Sequence, residues 1–526
     1  GRRSVAGVVL GLLLASAASA QPAPAASPAP PGASLAERID AHVNAARFAG
    51  ASWGIQVASI DSGRILYEHD AQRLLVPASA AKLYTAALAL DTLGANHRIA
   101  TSLFASARPL RDGTLRGDLI LYGYGDPTLG SELHARWADE LAEAVRKAGI
   151  RKVDGDLIAD ATHFASASYG GGWEAEDLQS WFAVPASALS IGENVVGLWI
   201  APGARPGEPA RLRFEPPVLG QAYDVVNELR TVAPPGRSDI NLVRRPGERR
   251  LGAFGQVAQH ARESEYRLSL PDPPLLAGHL LRRALGERGI EVTGKLRSIS
   301  WPRTNPARAD AALWHLADTW SPPLSVLLER GLKRSHNLYL QNLLLIVGAH
   351  EQQRAAAAAT AAGQAEAGFL STEQYGLRAM RRYLARLGIA PGAAVLDDGA
   401  GLSRRSLTSA AAFVKLLLAC ADAPAMRAFR SALPEAGVDG TLARRLNGDA
   451  TRGRVFAKTG AMRNVAALAG YATTLAGERI AFSIILDNYV RSAEAARASA
   501  EVDAIVAMLI DASPSTAAAA APAAPL

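Results

Sequence analysis

The sequence predicts an α/β (α+β) fold in which a five-stranded antiparallel sheet is flanked by helices and interrupted by smaller inserted α+β domains. Three observations support it. A strand hairpin (53–67) comes early, three strand candidates with short links (453–487) come late, and helical patterns lie on both sides of a turn-rich region (97–317). Because the hairpin and the late strands can pair, we expect one sheet built from both ends of the chain.

The individual elements follow from apolar periodicity and turn residues. Trp53–Val57 alternates and Arg64–Tyr67 pairs back across Asp61-Ser62-Gly63 as a hairpin. An apolar helical run follows Ser79 and ends at Gly94. The other predicted helices are 34–48, 132–148, 276–288, 324–332, 335–347, an exposed Ala-rich segment 353–368, 375–387, 407–420 and 493–510; the other predicted strands are 118–122, 211–214, 290–300, 453–458, 465–473 and 480–487.

The chain divides into segments of different composition. Arg2 and Arg3 precede a short apolar core and the small residues Ala18-Ser19-Ala20, which is typical of an export signal. The roughly 480 residues after it are too many for one core. The predicted segments are a signal peptide (1–20), a Pro/Ala linker (21–32), a catalytic domain (33–96 and 318–512, to which 170–190 returns), an inserted region of two small domains (97–317) and a disordered tail (513–526).

Composition excludes several functions. The net charge of +7 is spread over 526 residues without a basic block, so nucleic-acid binding is not predicted. The single Cys420 excludes an internal disulfide, and its apolar surroundings indicate a core residue. Gly123–Pro127 lacks the Gly-Lys-Ser/Thr of a phosphate loop, and His163 has no partner at metal spacing. We therefore predict no metal and no cofactor.

The strongest chemical signal is Ser79 with Lys82 three residues later. At the head of a helix this spacing puts a hydroxyl and an amine on one face, as a nucleophile and base require. The amine must lose its proton, so its pKa must fall from about 10.4 through burial or a second cation. The alternative is that Ser79 caps the helix and Lys82 extends to the surface. The chain has 7 lysines and 49 arginines, and only Lys82 follows a serine by three positions, which favours a group that can lose its proton.

Two further triplets complete the set. Ser335-His336-Asn337 opens a predicted helix, and Lys458-Thr459-Gly460 ends a predicted strand, where the glycine allows a ligand backbone to approach. The roles that follow are Ser79 as nucleophile and Lys82 as base, with Lys458 lowering the pKa of Lys82 by repulsion and attracting a substrate carboxylate. Ser335 relays a proton to the leaving amine, and Asn337 holds Lys82 and the substrate amide. Backbone N–H groups of Ser79 and Ala461 form the oxyanion hole.

In this order the motifs SxxK, SxN and KTG are those of penicillin-recognising serine enzymes. The chain resembles the D-alanyl-D-alanine carboxypeptidase/endopeptidase family, the class C low-molecular-mass penicillin-binding proteins, over roughly 35–510. The 256 residues between Ser79 and Ser335 agree with the two domains that this family inserts there. Other matching stretches are Gly125–Pro127, Tyr169–Trp173, Ser321–Leu324, Asp398–Arg404 and Leu433–Leu446.

The resemblance also implies a pocket for a diaminopimelate side chain, in which Asp177 faces the amine, Arg404 the carboxylate and Phe182 forms an apolar wall. Arg463 stands where the family often has Gln or Glu and adds a second cation if it points inward. His336 and Ala400 replace the commoner Asp and Ser. These departures concern substrate preference.

The function expected is a periplasmic serine D,D-peptidase that cleaves D-Ala-D-Ala or D-Ala–diaminopimelate bonds of peptidoglycan stem peptides and is acylated by β-lactams. Two alternatives remain at this point: a β-lactamase or esterase on the same fold, and a non-catalytic peptidoglycan-binding protein. No stable membrane anchor is predicted, and the sequence leaves open whether the chain forms a homo-oligomer.

Overall fold

A computed structural model of the chain describes residues 32–305, 313–362, 368–491 and 496–512. The expected signal peptide (1–20) and tail (513–526) lie outside these ranges, as does the expected linker except for Gly32. Within the described ranges, no helix is long and apolar enough to cross a membrane.

The α-helices and strands of these ranges are numbered in chain order. The helices are α1 (Leu35–Val43), α2 (Lys82–Leu93), α3 (Trp137–Lys147), α4 (Pro273–Gly286), α5 (Leu324–Lys333), α6 (Asn337–Ala361), α7 (Thr372–Arg386), α8 (Ala410–Ala421), α9 (Arg427–Ser431) and α10 (Ala498–Ile510). The strands are β1 (Ser52–Ser59), β2 (Ile65–His69), β3 (Ala100–Ala105), β4 (Thr114–Leu115), β5 (Leu119–Gly123), β6 (Lys152–Val153), β7 (Leu157–Asp160), β8 (Val195–Ala201), β9 (Arg211–Glu215), β10 (Asp224–Val232), β11 (Asp239–Val243), β12 (Arg250–Ala258), β13 (Ser264–Ser269), β14 (Glu291–Val292), β15 (Leu296–Ile299), β16 (Trp314–Trp320), β17 (Ala394–Val395), β18 (Leu407–Thr408), β19 (Val455–Met462), β20 (Val465–Thr473) and β21 (Arg479–Asp487).

The central sheet has the strand order β19-β20-β21-β1-β2, and every neighbouring pair is antiparallel. Strand β1 pairs with β21 from Ser52 opposite Asp487 to Ser59 opposite Ile480. The prediction that the early hairpin and the late strands form one five-stranded antiparallel sheet is confirmed. The two ends of the chain therefore meet inside this sheet, and β19, which carries the KTG triplet, lies at its edge.

Both faces of the sheet are buried. Successive side chains of a strand point to opposite faces, so each strand contributes to two apolar clusters. On β20, Leu468 belongs to an apolar cluster with Ile39 of α1 and Val502 of α10. Tyr471 points the other way, into the larger cluster that includes Phe413 of α8. Helices on both faces explain why β20 and β21 read as nearly continuous apolar runs.

Helix α6 is a single helix of 25 residues. The sequence suggested a break after Val347, but Gly348 continues the helix and permits close packing: a Cβ there would lie 2.0 Å from the Thr372 backbone oxygen. The prediction of two separate helices over 335–347 and 353–368 is therefore wrong, because one helix continues to Ala361. The exposure expected for the second half is confirmed up to that residue, and residues 363–367 lie outside the described ranges.

The region between β2 and α5 contains two groups of sheets. One comprises the mixed sheet β15-β7-β5-β3-β16 and the small sheet β14-β6-β4, and α3 and α4 accompany it in sequence. The other, β13-β8-β9 with β10-β12-β11, is inserted between β7 and α4. The strand expected over 290–300 is divided into β14 and β15 by Gly294, where a Cβ would lie 2.2 Å from the Gly155 backbone oxygen.

Candidate active site

Ser79 lies in a 3-10 turn (Ala78–Ala81), and α2 begins only at Lys82. The expectation that Ser79 heads the α-helix itself is thus wrong by one turn. Ala78 has a φ of 47°, in the left-handed region that residues with a Cβ rarely adopt. Such strain is held by surrounding structure and is frequent at active sites. The turn still presents the hydroxyl to the amine, because Ser79 Oγ lies 2.8 Å from Lys82 Nζ.

Three oxygens surround the Lys82 amine. Besides Ser79 Oγ, Nζ contacts Asn337 Oδ1 at 2.5 Å and the backbone oxygen of Ala400 at 2.6 Å. A neutral amine has two N–H groups and one lone pair. If the N–H groups donate to Asn337 and Ala400, the lone pair faces the Ser79 hydroxyl. The geometry therefore suits a base that accepts the proton of Ser79.

The electrostatics of Lys82 favour this neutral form. The side chain is fully buried, and burial lowers its pKa to about 7, although the Asp398 carboxylate acts in the opposite direction. The sequence named burial and repulsion by Lys458 as the causes, and burial is confirmed as the main one. The pKa of Lys458 is itself lowered well below its usual value, by burial first and then by the charge of Lys82. Repulsion within such a pair is reciprocal and adds to burial on both sides.

Lys458 lies behind Ser335 and is also fully buried. Its Nζ donates to Ser335 Oγ at 2.9 Å and to the backbone oxygen of Thr459 at 2.7 Å. Ser335 has a φ of 53°, and α6 begins two residues later, at Asn337. The serine therefore occupies a strained turn before the helix, not the first helical position expected. Ser335 and Lys458 form a second hydroxyl–amine pair in the site.

The amide of Asn337 has two partners within the protein. Its Oδ1 accepts from Lys82, as expected, and its Nδ2 donates to the Phe182 backbone oxygen at 2.6 Å. The amino group was expected to contact the substrate, whereas in this structure it fixes the segment that carries Phe182. Asn337 thus links the catalytic lysine to one wall of the cleft.

The KTG triplet lies within β19 and not at the end of a strand. Gly460 is buried, and a Cβ there would lie 2.3 Å from the Pro77 backbone oxygen. The turn that carries Ser79 occupies the space on this side of the glycine. Gly460 therefore positions the nucleophile against the edge strand, while Thr459 and Ala461 line the cleft.

A cleft of about 570 Å³ opens beside Ser79. Lys82, Lys458 and Gly460 are buried beneath it. It is lined by residues of the motifs, by the four residues expected for a side-chain pocket, and by residues that the sequence did not indicate. They are Ser79, Ser335, Asn337, Thr459 and Ala461; Asp177, Phe182, Arg404 and Arg463; and Glu174, Glu176, Trp181, Arg334, Leu402, Thr441 and Met462.

The pocket end of the cleft has an acidic and a basic side. Burial raises the pKa of Asp177, the carboxylates of Glu174 and Glu176 raise it further, and Arg404 lowers it. Arg404 Nε lies 3.2 Å from Glu174 Oε1. The Nη1 atom of Arg404 donates a hydrogen bond to the Arg463 backbone oxygen at 3.4 Å. Arg404 is therefore paired with a protein carboxylate in this structure. The family resemblance that indicated Asp177 did not indicate Glu174 or Glu176.

Asp398 acts on the pKa of Lys82, and the three catalytic motifs did not indicate it. It is 1% exposed, and it accepts hydrogen bonds from Trp173 Nε1 at 2.9 Å, Leu402 N at 2.9 Å and Gly401 N at 3.0 Å. These contacts join the 170–190 segment to the loop that supplies Ala400. The turn-rich sequence around Asp398 indicated a loop but not its position behind the lysine.

Comparison with known proteins identifies the family. The model of the D-Ala-D-Ala carboxypeptidase 3 (S13) family matches residues 35–509. The chain belongs to this family. A D-alanyl-D-alanine carboxypeptidase of Actinomadura sp. (strain R39) is 34% identical over 496 residues, which cover 92% of this chain and 86% of that relative. The enzyme is therefore a serine peptidase of the D-alanyl-D-alanine carboxypeptidase type, as the sequence predicted.

Further relatives agree in fold. A D-alanyl-D-alanine carboxypeptidase of Haemophilus influenzae is 28% identical over 448 residues, 84% of this chain and 86% of that relative. The crystal structure of penicillin-binding protein 4 from the same organism aligns with a TM-score of 0.74 and 26% identity, covering 88% of this chain and 96% of that one. The expected penicillin-recognising fold is confirmed.

Proposed function

We propose that the enzyme cleaves D-Ala-D-Ala and/or D-Ala–diaminopimelate bonds of peptidoglycan stem peptides through an acyl-enzyme on Ser79. The observation that carries this proposal is the contact of 2.8 Å between Ser79 Oγ and Lys82 Nζ, with a pKa of about 7 for the lysine. At neutral pH about half of the molecules have this lysine in the neutral form, whereas an ordinary lysine is almost entirely charged.

The reaction follows from the two hydroxyl–amine pairs. Ser79 transfers its proton to Lys82 and attacks the carbonyl carbon of the penultimate D-Ala. The backbone N–H groups of Ser79 and Ala461 stabilise the resulting oxyanion. The proton that Lys82 took from Ser79 passes through Ser335 to the leaving amine, so that Lys82 is neutral again, and Lys458 Nζ, 2.9 Å from Ser335 Oγ, holds that hydroxyl in place. The C–N bond breaks, and water then releases the acyl group from Ser79.

The side-chain pocket determines which stem peptide fits best. Asp177 offers a carboxylate, Arg404 and Arg463 offer cations, and Phe182 offers an apolar surface in the same cleft. A diaminopimelate side chain ends in both an ammonium and a carboxylate and complements these groups. A lysine side chain has only the ammonium and leaves the cations without a ligand.

β-Lactams resemble the acyl-D-Ala-D-Ala end of the substrate, and we infer that they acylate Ser79. The solved penicillin-binding protein 4 of Haemophilus influenzae includes a complex with a β-lactam. The β-lactamase or esterase alternative requires rapid deacylation. Turnover of nitrocefin distinguishes it from a penicillin target, which binds the β-lactam stoichiometrically.

The Arg-Arg, apolar-core and Ala-Ser-Ala pattern of residues 1–20 supports export to the periplasm, where the proposed substrate occurs. The proposal includes no membrane anchor.

Mass spectrometry of the products tests this function. Purified uncross-linked and cross-linked muropeptides are incubated with the enzyme and, as control, with Ser79→Ala. Release of D-Ala from the former, or separation of the two stems of the latter, supports the proposal and measures the balance of the two activities. Muropeptides that stay unchanged with an enzyme that hydrolyses simple esters contradict it.

A further inference from the structure

Three carboxylates lie behind the catalytic lysine. Asp397 Oδ2 pairs with Arg405 Nη2 at 2.6 Å, and Asp398 is held by neutral N–H donors and faces the charge of Lys82. Glu373, the second residue of α7, has a different environment. The catalytic steps described above do not use it.

The contacts of Glu373 are with neutral donors. Its Oε1 accepts from Gln341 Nε2 at 2.7 Å and from the Gly171 backbone at 3.4 Å. Gln341 is 2% exposed, and its own Oε1 accepts from the Gly399 backbone N–H at 2.7 Å. The next residue, Ala400, offers the backbone oxygen that Lys82 Nζ contacts at 2.6 Å. Two hydrogen bonds, the Gly399–Ala400 backbone and a third hydrogen bond therefore connect Glu373 to the catalytic amine.

The position of Gln341 makes this connection specific to the site. Gln341 lies one turn after Asn337 on α6, so both amides lie on the same side of the helix. Asn337 holds Lys82 directly, and Gln341 holds the loop that contacts it. Gly399 fits closely against α6, since a Cβ there would lie 2.7 Å from the Leu340 backbone oxygen. A small movement of this loop changes the distance between Ala400 and the amine.

We propose that Glu373 is a positioning residue for Lys82 and that it acts through Gln341 and the Gly399–Ala400 backbone. The inference rests on the proposed role of Lys82 as the base. It assigns a function to a residue outside the three motifs and outside the substrate cleft.

The charges around Glu373 affect its protonation. Burial raises its pKa to about 7, the carboxylates of Asp398 and Asp397 contribute, and the two N–H donors act in the opposite direction. Arg405 neutralises Asp397, so Asp398 is the main repelling charge. When Glu373 ionises, its charge adds to that of Asp398, which already raises the pKa of Lys82. Ionisation therefore opposes deprotonation of the lysine as the pH rises through the same range.

Two variants separate charge from hydrogen bonding. E373Q keeps an oxygen for Gln341 and cannot ionise, whereas E373A leaves Gln341 Nε2 buried without a partner. The rate constant for acylation by a fluorescent penicillin is measured from pH 5 to 9, with thermal melting as a check on folding. Glu287→Gln, the same change at the exposed residue that follows α4, is the matched control. Exchange of the Gly399 amide with deuterium is measured in parallel.

We expect E373Q to react within about two-fold of the wild-type rate at every pH, because the oxygen that accepts from Gln341 is kept. E373A should react about tenfold more slowly at every pH and exchange the Gly399 amide faster. The control should behave as the wild type.

Two results overturn the inference: an E373A variant that keeps the wild-type rate and the wild-type exchange of the Gly399 amide, or an E373Q variant as impaired as E373A throughout. Failure of penicillin to acylate the wild type contradicts the proposed function instead. In that case the exchange measurement still decides the positioning role, because an unchanged Gly399 amide in E373A excludes it.

Discussion

Replacing Lys82 by methionine should change the pH dependence of stability in a way that follows from the burial of its amine. The pKa of Lys82 lies at about 7 in the folded chain and near its ordinary 10.5 when the chain unfolds. At about 1.4 kcal/mol per pH unit, this gap corresponds to about 5 kcal/mol of unfolding free energy. The methionine side chain has a similar length and no titratable group.

The sign follows from proton counting. Between pH 7 and 10.5 the unfolded lysine holds a proton that the folded lysine has lost, so the unfolding free energy rises with pH. The destabilisation is complete below the folded value and disappears above the unfolded one. The wild type should therefore gain about 1.4 kcal/mol per pH unit relative to Lys82→Met over this window. Loss of repulsion on Lys458 in the variant acts in the same direction.

Urea unfolding followed by tryptophan fluorescence at pH 7, 8 and 9 measures this difference. Hydrogen bonds that the variant loses to Asn337 and Ala400 change stability by an amount that does not depend on pH, so the slope isolates the amine. Lys147→Met, on the exposed face of α3, is the matched control. Parallel pH profiles for the wild type and Lys82→Met would refute the assignment of a neutral buried lysine.

The other predictions concern the second lysine and the pocket. Lys458→Arg should slow penicillin acylation by at least about tenfold although the charge is kept, because a guanidinium does not reproduce the buried contact of 2.9 Å with Ser335; a rate within two-fold of the wild type contradicts this. Arg404→Ala should lower kcat/KM about ten- to a hundred-fold for diaminopimelate peptides and much less for small D-Ala-D-Ala esters, and equal losses on both would remove the pocket assignment. Glu174→Gln should raise kcat/KM for diaminopimelate peptides about two- to five-fold, because it frees Arg404 from the ion pair at 3.2 Å. Glu176→Gln, a neighbouring change in the same cleft, should not do so, and the same gain in both variants would contradict the competition by Glu174.

The sheet and the catalytic motifs could be predicted because their signals are local. Strand alternation and short links indicate the late strands, and the hairpin turn indicates the early ones. The serine–lysine spacing at Ser79 is likewise a property of a few adjacent residues. The order of the three motifs and their separation then indicated the family.

Other features depend on residues distant in sequence. The sequence predicts a helix end at Gly348 and the approach of a ligand backbone at Gly460. In the structure each glycine makes room for a backbone oxygen of another element. Those neighbours are distant in sequence, and no local pattern identifies them. The same applies to Asp398 and Glu373, whose effects on Lys82 arise only when the loop, α6 and α7 pack together. The lowering of the Lys82 pKa by burial was therefore predicted, whereas the opposing effect of Asp398 was not.

Peptide mapping of the penicillin-labelled enzyme tests the central claim most directly. The wild type and Ser79→Ala are incubated with penicillin, digested, and analysed by mass spectrometry, with circular dichroism to establish that the variant is folded. We predict a single adduct on the peptide that contains Ser79 and no adduct in the variant. An adduct on Ser335 or another residue of the wild type, or labelling that persists in folded Ser79→Ala, would contradict the assignment of Ser79 as the nucleophile.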